Sequence, residues 1–213
     1  MNRSEERIRS HYRVISRAYD IMDRILFPHE DQNPRIGLAR TIPDGTSQIL
    51  DFCCGTGSSA IAIAASHPEA NVIGIDLTEE MLQVADAKVQ EMNLRNLVTR
   101  RLDATATDYP DDRFDVVTTS LSLHEMELAT RHAILKEMVR VLRPGGLVCI
   151  VDWDAPDRPL SRAFFNFFPA AFEPAGFAQF LKLDWKRMLS PYGLAWVEEK
   201  RYHYTKLIVA RKE

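Results

Sequence analysis

A chain of 213 residues, 46% hydrophobic and 27% charged, can bury a sizeable core without disulfide or metal staples and is sized for one or two domains. Its net charge of -3, with no basic tail, excludes a general electrostatic pull toward nucleic acid. No apolar run approaches the roughly eighteen residues of a membrane span, and the polar start Met1-Asn2-Arg3-Ser4-Glu5-Glu6-Arg7 is no secretory signal, so the expected compartment is the cytoplasm.

The first predicted element is a helical arm from Arg3 to Leu26, where Ile8, Tyr12, Ile15, Tyr19, Met22 and Leu26 recur at steps of three and four. That stripe either packs on the core or brings Tyr12 and Tyr19 over a ligand. A proline-marked loop (Pro28, Pro34, Pro43-Asp44-Gly45) follows. From Ile49 onward, strand-like and helix-like runs alternate. Strands are predicted over Ile49 to Cys53, Val72 to Asp76, Leu97 to Leu102, Phe114 to Leu121 and Leu147 to Trp153. Helices are predicted over Ser58 to Ala65, from an N-cap at Thr78 with Glu79 and Glu80 in the first turn, and over Glu127 to Leu142, stopped at Arg143-Pro144-Gly145-Gly146. This rhythm gives a parallel sheet. After Asp154, Phe164, Phe165, Phe167, Phe168, Phe172, Phe177 and Phe180 crowd together between prolines, more aromatic material than a surface loop leaves in water. They pack into the core, line a hydrophobic acceptor cavity or touch a membrane surface. Val197 to Lys200 and Tyr202 to Ala210 read as a terminal antiparallel pair.

Two features carry chemistry. In Ile49-Leu50-Asp51-Phe52-Cys53-Cys54-Gly55-Thr56-Gly57, an apolar run ends on an acid and breaks into glycines before an alanine-rich helix. A loop wrapping a ligand needs such residues, because its backbone must approach closely and adopt φ > 0. The run Asn71-Val72-Ile73-Gly74-Ile75-Asp76 then ends on an acid about twenty residues further on, where a nucleotide-binding βαβ unit holds ribose hydroxyls. The three cysteines, Cys53, Cys54 and Cys149, match neither a disulfide framework nor zinc spacing; they are expected as small buried fillers, with no metal.

Taken with Asp103-Ala104, Phe114-Asp115-Val116-Val117, Leu142-Arg143-Pro144-Gly145-Gly146 and Tyr19-Asp20-Ile21-Met22, these islands resemble the class I S-adenosylmethionine-dependent methyltransferases, and most nearly the ubiquinone/menaquinone-biosynthesis type. One departure is Cys53, which stands where the usual pattern has its first glycine. The resemblance implies an α/β fold with a Rossmann-like, seven-stranded, mostly parallel sheet, helices on both faces and an antiparallel last strand. It implies a single domain, with residues 1–45 as an arm, 46–153 as the cofactor core and 154–213 as acceptor cover and terminal strands. It also implies S-adenosyl-L-methionine as cofactor, S-adenosyl-L-homocysteine as product and a set of roles. Asp51 and the Gly55-Thr56-Gly57 backbone hold the methionine portion, and the carbonyl near Ser120 receives its ammonium. Asp76 takes the ribose hydroxyls, Leu77 and Met81 flank the adenine, Asp103 and Ala104 bond its edge, and Tyr19 covers the site.

The segment Ser120-Leu121-Ser122-Leu123-His124-Glu125-Met126 lies where an acceptor approaches in such folds, and it lacks the Asn/Asp-Pro-Pro-aromatic motif of many nucleic-acid and protein amino-methyltransferases. A small, apolar or aromatic acceptor, methylated on carbon or oxygen, is therefore expected, with no nucleic acid as partner. His124 is the candidate base, because imidazole titrates near neutral pH; a structural histidine bonded to backbone is the other use. Asp152, Trp153 and Asp154 are expected at the same rim, an acid there steadying the acceptor. A macromolecule methyltransferase and a non-catalytic S-adenosylmethionine-binding module stand as alternatives.

Overall fold

The computed structural model describes residues 32–156, 165 and 176–213. The predicted N-terminal arm, with Tyr12 and Tyr19, lies outside them, as do Phe164, Phe167, Phe168 and Phe172. Seven strands form one sheet in the order β3-β2-β1-β4-β5-β7-β6, and the chain divides into two compact units after Ala104.

In the first unit, α1 (Pro34–Thr41) is capped by the Asn33 side chain, which accepts from the Arg35 N–H at 3.0 Å. Then follow β1 (Gln48–Phe52), α2 (Ser58–Ser66), β2 (Asn71–Asp76), α3 (Glu79–Glu91) and β3 (Leu97–Arg101). All strand pairings here are parallel, with Asp51 beside Gly74 and Asp76 beside Arg101. Near-continuous apolar runs such as Ile49-Leu50 and Val72-Ile73 suit strands covered on both faces. Thr78 occupies the N-cap of α3 but its side chain makes no capping bond. The Asp76 carboxylate accepts the Thr78 N–H instead, at 2.9 Å.

The second unit runs through β4 (Phe114–Ser120), a 3₁₀ turn (Leu123–Glu125), α4 (Leu128–Val141) and β5 (Leu142–Trp153). After α5 (Phe177–Phe180) and α6 (Trp185–Leu189) come β6 (Leu194–Arg201) and β7 (Thr205–Lys212). β4 and β5 are parallel, whereas β7 is antiparallel to both β5 and β6. One expected boundary moves: Arg143-Pro144-Gly145-Gly146 is a bulge inside β5, not a loop before it, because pairing with β4 jumps from Phe114–Leu142 to Val116–Leu147. Gly146 permits the close approach, since a Cβ there would stand 2.7 Å from the Asp115 carbonyl oxygen. The terminal pair also shifts: β6 begins at Leu194, ahead of the expected Val197, and β7 runs from Thr205 to Lys212, because Tyr202, expected in that strand, belongs to the turn, its N–H donating to the Thr205 carbonyl at 2.7 Å.

Candidate functional site

Asp51, Gly55, Thr56, Gly57, Asp76, Leu77, Met81, Asp103 and Ala104 gather at the carboxyl ends of β1, β2 and β3 in the first unit. Three residues of the loop after β1 are left-handed: Cys53 at φ 54°, Gly55 at 52° and Gly57 at 77°. The loop is tied across to β2 by the Cys54 N–H, donating to the Ile75 carbonyl at 2.9 Å, and by the Gly55 N–H, donating to Asp76 Oδ2 at 2.9 Å. Gly57 packs against α3, where a Cβ would meet that of Ala85 at 2.9 Å. It is also the N-cap of α2 and gives that helix no side-chain cap. The Thr56 hydroxyl is engaged within the unit, accepting from Lys88 Nζ at 3.2 Å. Further along, the Leu102 N–H donates to the Asp76 carbonyl and Arg101 Nε donates to the Leu77 carbonyl, each at 3.1 Å, which brings Asp103-Ala104 beside Asp76-Leu77.

These residues fit an adenosyl cofactor. A Cβ on Gly55 would meet no atom within 4 Å, so the loop has open space beside its backbone. The Asp76 carboxylate accepts two backbone N–H groups, leaving two of its roughly four lone-pair positions for hydroxyl donors. Leu77, next in the chain to that acid, leaves its apolar side chain 62% exposed. Asp51 is buried at the end of β1. Burial pushes the Cys54 thiol well up, the carboxylates of Asp51 and Asp76 adding to the effect, and burial with a smaller push from the Glu198 carboxylate lifts Cys149 to about 12. Both are therefore inert fillers, as expected. Cys53 is only half-buried, because its left-handed position puts it on the loop and not in the strand.

In the second unit, Ser120 ends β4 with its hydroxyl oxygen buried and without a hydrogen-bond partner among the described residues. Leu121 follows at φ 52°, its N–H donating to the Val151 carbonyl at 2.8 Å. His124 lies on the 3₁₀ turn, 4% exposed, with its Nδ1 2.7 Å from Asp152 Oδ1. An indole N–H only donates, so the 3.3 Å contact from Trp153 Nε1 makes His124 Nε2 the acceptor and puts the neutral imidazole's proton on Nδ1, facing Asp152. Three rings meet the imidazole edge to face: Trp153, Phe177 and Phe180, with centroids 5.9–6.1 Å away.

Asp152 is 1% exposed, and its carboxylate accepts from His124 Nδ1, the Trp153 N–H, the Leu123 N–H and the His124 N–H. Its acceptor capacity is spent on the turn and the imidazole, so it does not steady an acceptor as expected from its rim position. Asp154 is likewise paired, with Arg201 at 2.9 Å and Lys206 at 3.2 Å. Arg131, from α4, completes the hold on the turn: its Nε donates to the Leu123 carbonyl at 2.7 Å and its guanidinium lies 4.8 Å over the Phe180 ring. Burial lowers its basicity and the Asp152 carboxylate works against that. Neither Arg131 nor the orienting use of Asp152 is readable from the sequence, which separates them from His124 by 7 and 28 positions without a motif.

Among the described residues no helix is long and apolar enough to cross a membrane, and no three His, Cys, Asp or Glu side chains are grouped to hold a metal ion. The family described as a methyltransferase domain matches residues 49–146. The demethylmenaquinone methyltransferase of Listeria welshimeri is 33% identical over 165 residues, covering 76% of this chain and 69% of that protein. Its namesake from Lactobacillus johnsonii is 38% identical over 126 residues, covering 56% and 51%. The crystal structure of a SAM-dependent methyltransferase from Aquifex aeolicus superposes with a TM-score of 0.69 at 20% identity, covering 86% of this chain and 92% of that one, which shows the shared fold. On this likeness and the geometry at the strand ends, the chain belongs to the class I S-adenosylmethionine-dependent methyltransferases, is similar to their ubiquinone/menaquinone-biosynthesis type, and is an enzyme that takes S-adenosylmethionine as its cofactor.

Proposed function

We propose that the enzyme methylates a small aromatic acceptor of the quinol type in the cytoplasm, on carbon or oxygen, with His124 as the base that removes the acceptor's proton. The observation that carries this is the imidazole held by Asp152 in the tautomer whose lone pair lies on Nε2, inside an aromatic enclosure. Trp153 holds that lone pair through a long contact of 3.3 Å, which an acceptor hydroxyl would replace. The relatives named demethylmenaquinone methyltransferases support a quinone-derived acceptor, and the net charge of -3 argues against a nucleic acid.

The cofactor roles are assigned by position. Asp76, already fixed by two backbone N–H groups, would take the ribose hydroxyls. Leu77 and Met81 would flank the adenine, with Asp103 and the Ala104 N–H at its edge. Asp51 and the Gly55-Thr56-Gly57 backbone would hold the methionine portion, and the Ser120 carbonyl its ammonium. The cofactor supplies a methyl group already activated on a sulfonium. The protein therefore has chiefly to align the acceptor, exclude water and remove one proton.

Turnover of a demethylated naphthoquinol, compared with protein and RNA fractions, tests the acceptor class; faster methylation of either macromolecule would overturn it. His124→Ala should lower kcat about a hundredfold or more while cofactor affinity by calorimetry stays unchanged. Full activity in that variant would leave alignment as the whole mechanism.

A further inference from the structure

We propose that Glu125 is the proton-release group of this enzyme, taking the proton that His124 collects at Nε2 and passing it to solvent. The proposal rests on His124 being the base. Methyl transfer joins the methyl carbon to the acceptor while the carbon–sulfur bond breaks, its electron pair staying on sulfur. The acceptor's proton is left over, so every turnover must release one proton. Taken up at Nε2, it makes the imidazole cationic, with Asp152 opposite at Nδ1.

A side chain only 3% exposed does not hand that proton directly to water. Five neighbours of the ring among the described residues can be compared. Asp152, from β5, is itself buried and already accepts four hydrogen bonds, so it steadies the cation without offering an exit. Trp153, Phe177 and Phe180 carry no base, and the indole N–H only donates. Arg131, from α4, is a cation lying over Phe180 and accepts no proton. Glu125 differs from all of these: its Oε1 is 3.8 Å from His124 Nε2 and its side chain is 53% exposed, so it touches both the base and the water. Its backbone is fixed, the N–H donating to the Ser122 carbonyl at 3.2 Å, while the neighbouring Leu123 peptide is held by Asp152 and Arg131. The remaining gap is 3.8 Å, and a proton on Nε2 supplies the charge that draws the carboxylate in.

The test compares wild-type enzyme, Glu125→Gln and Glu125→Asp, each with S-adenosylmethionine and a demethylated naphthoquinol, across neutral pH at low and high imidazole buffer. Glu125→Gln should lose about tenfold or more in kcat at low buffer, with KM for the cofactor unchanged. Added imidazole should restore the rate, and Glu125→Asp should keep part of it. Wild-type turnover by Glu125→Gln at low buffer, or a loss that no buffer relieves, overturns the proposal. His124→Ala is run in parallel. If it is inactive while Glu125→Gln is not, only the proton-release role fails; if it keeps full activity, the base assignment fails and takes this role with it.

Discussion

Cys53 adopts a left-handed backbone conformation that costs a side chain about 1–2 kcal/mol and that glycine takes freely. Glycine in turn gains roughly 0.5–1 kcal/mol of freedom in the unfolded chain, so Cys53→Gly should stabilise the protein by up to about 1 kcal/mol. Urea unfolding checks it, and a destabilised variant would mean that the half-buried thiol makes contacts worth more than the strain. The departure from the family's glycine pattern was visible in the sequence, but its physical meaning was not, because a thiol's backbone angle is set by the loop that carries it. Asp76 was legible for the opposite reason: its distance from the glycines is dictated by the length of one helix and two turns. Asp152 escaped notice as an orienting group because its partners, Leu123 and His124, come from another strand's end.

α4 is fastened to the segment before β4 by Glu137 and Arg140 together, Arg140 also reaching the Asp111 carboxylate and donating to the Tyr109 carbonyl at 2.8 Å. Glu137 accepts from the Thr107 N–H at 2.7 Å, the Thr107 hydroxyl at 2.6 Å and Arg140 Nη2 at 2.7 Å. Burial alone pushes the Glu137 carboxyl up, but the hydrogen bonds from Arg140 and Thr107 outweigh it and hold the group below its ordinary value. A carboxylate lowered on folding contributes stability that is complete above its unfolded value, near about pH 4.3, and is lost as pH falls through the folded value. Glu137→Gln should therefore be less stable at neutral pH and show a flatter decline in acid, read by urea titrations at several pH values; identical acid limbs would assign the lability to other carboxylates. Glu137→Ala, which leaves Arg140 its bonds to Asp111 and the Tyr109 carbonyl but removes the acceptor of the Thr107 N–H and hydroxyl, should cost about 1–3 kcal/mol. At this scale the sequence placed the helices and strands by period, yet the β5 bulge stayed hidden, because Arg143-Pro144-Gly145-Gly146 has the composition of a loop and only pairing with β4 makes it strand.

For the molecule as a whole, binding of S-adenosylmethionine or S-adenosylhomocysteine should raise the melting temperature, since a ligand at a hundred times its Kd adds about 2.7 kcal/mol. For a chain of this size that is roughly 5–10 °C, while NAD should give no shift. Asp76→Ala should weaken cofactor binding at least tenfold and shrink the shift, because each charge-assisted bond is worth about 1.5–3 kcal/mol; an undiminished shift would misplace the ribose site. The strand order carries a different consequence, one of timing. β7 is the last strand of the sheet in chain order, yet it lies between β5 and β6. During synthesis the edge of β5 that awaits it stays open for some fifty residues, several seconds at roughly 5–20 residues per second. β6 emerges first and has no strand to pair with until β7 arrives. The nascent enzyme thus presents an unpaired, strongly apolar strand edge throughout the making of residues 154–204, which marks that interval as the time when a chaperone has most to protect.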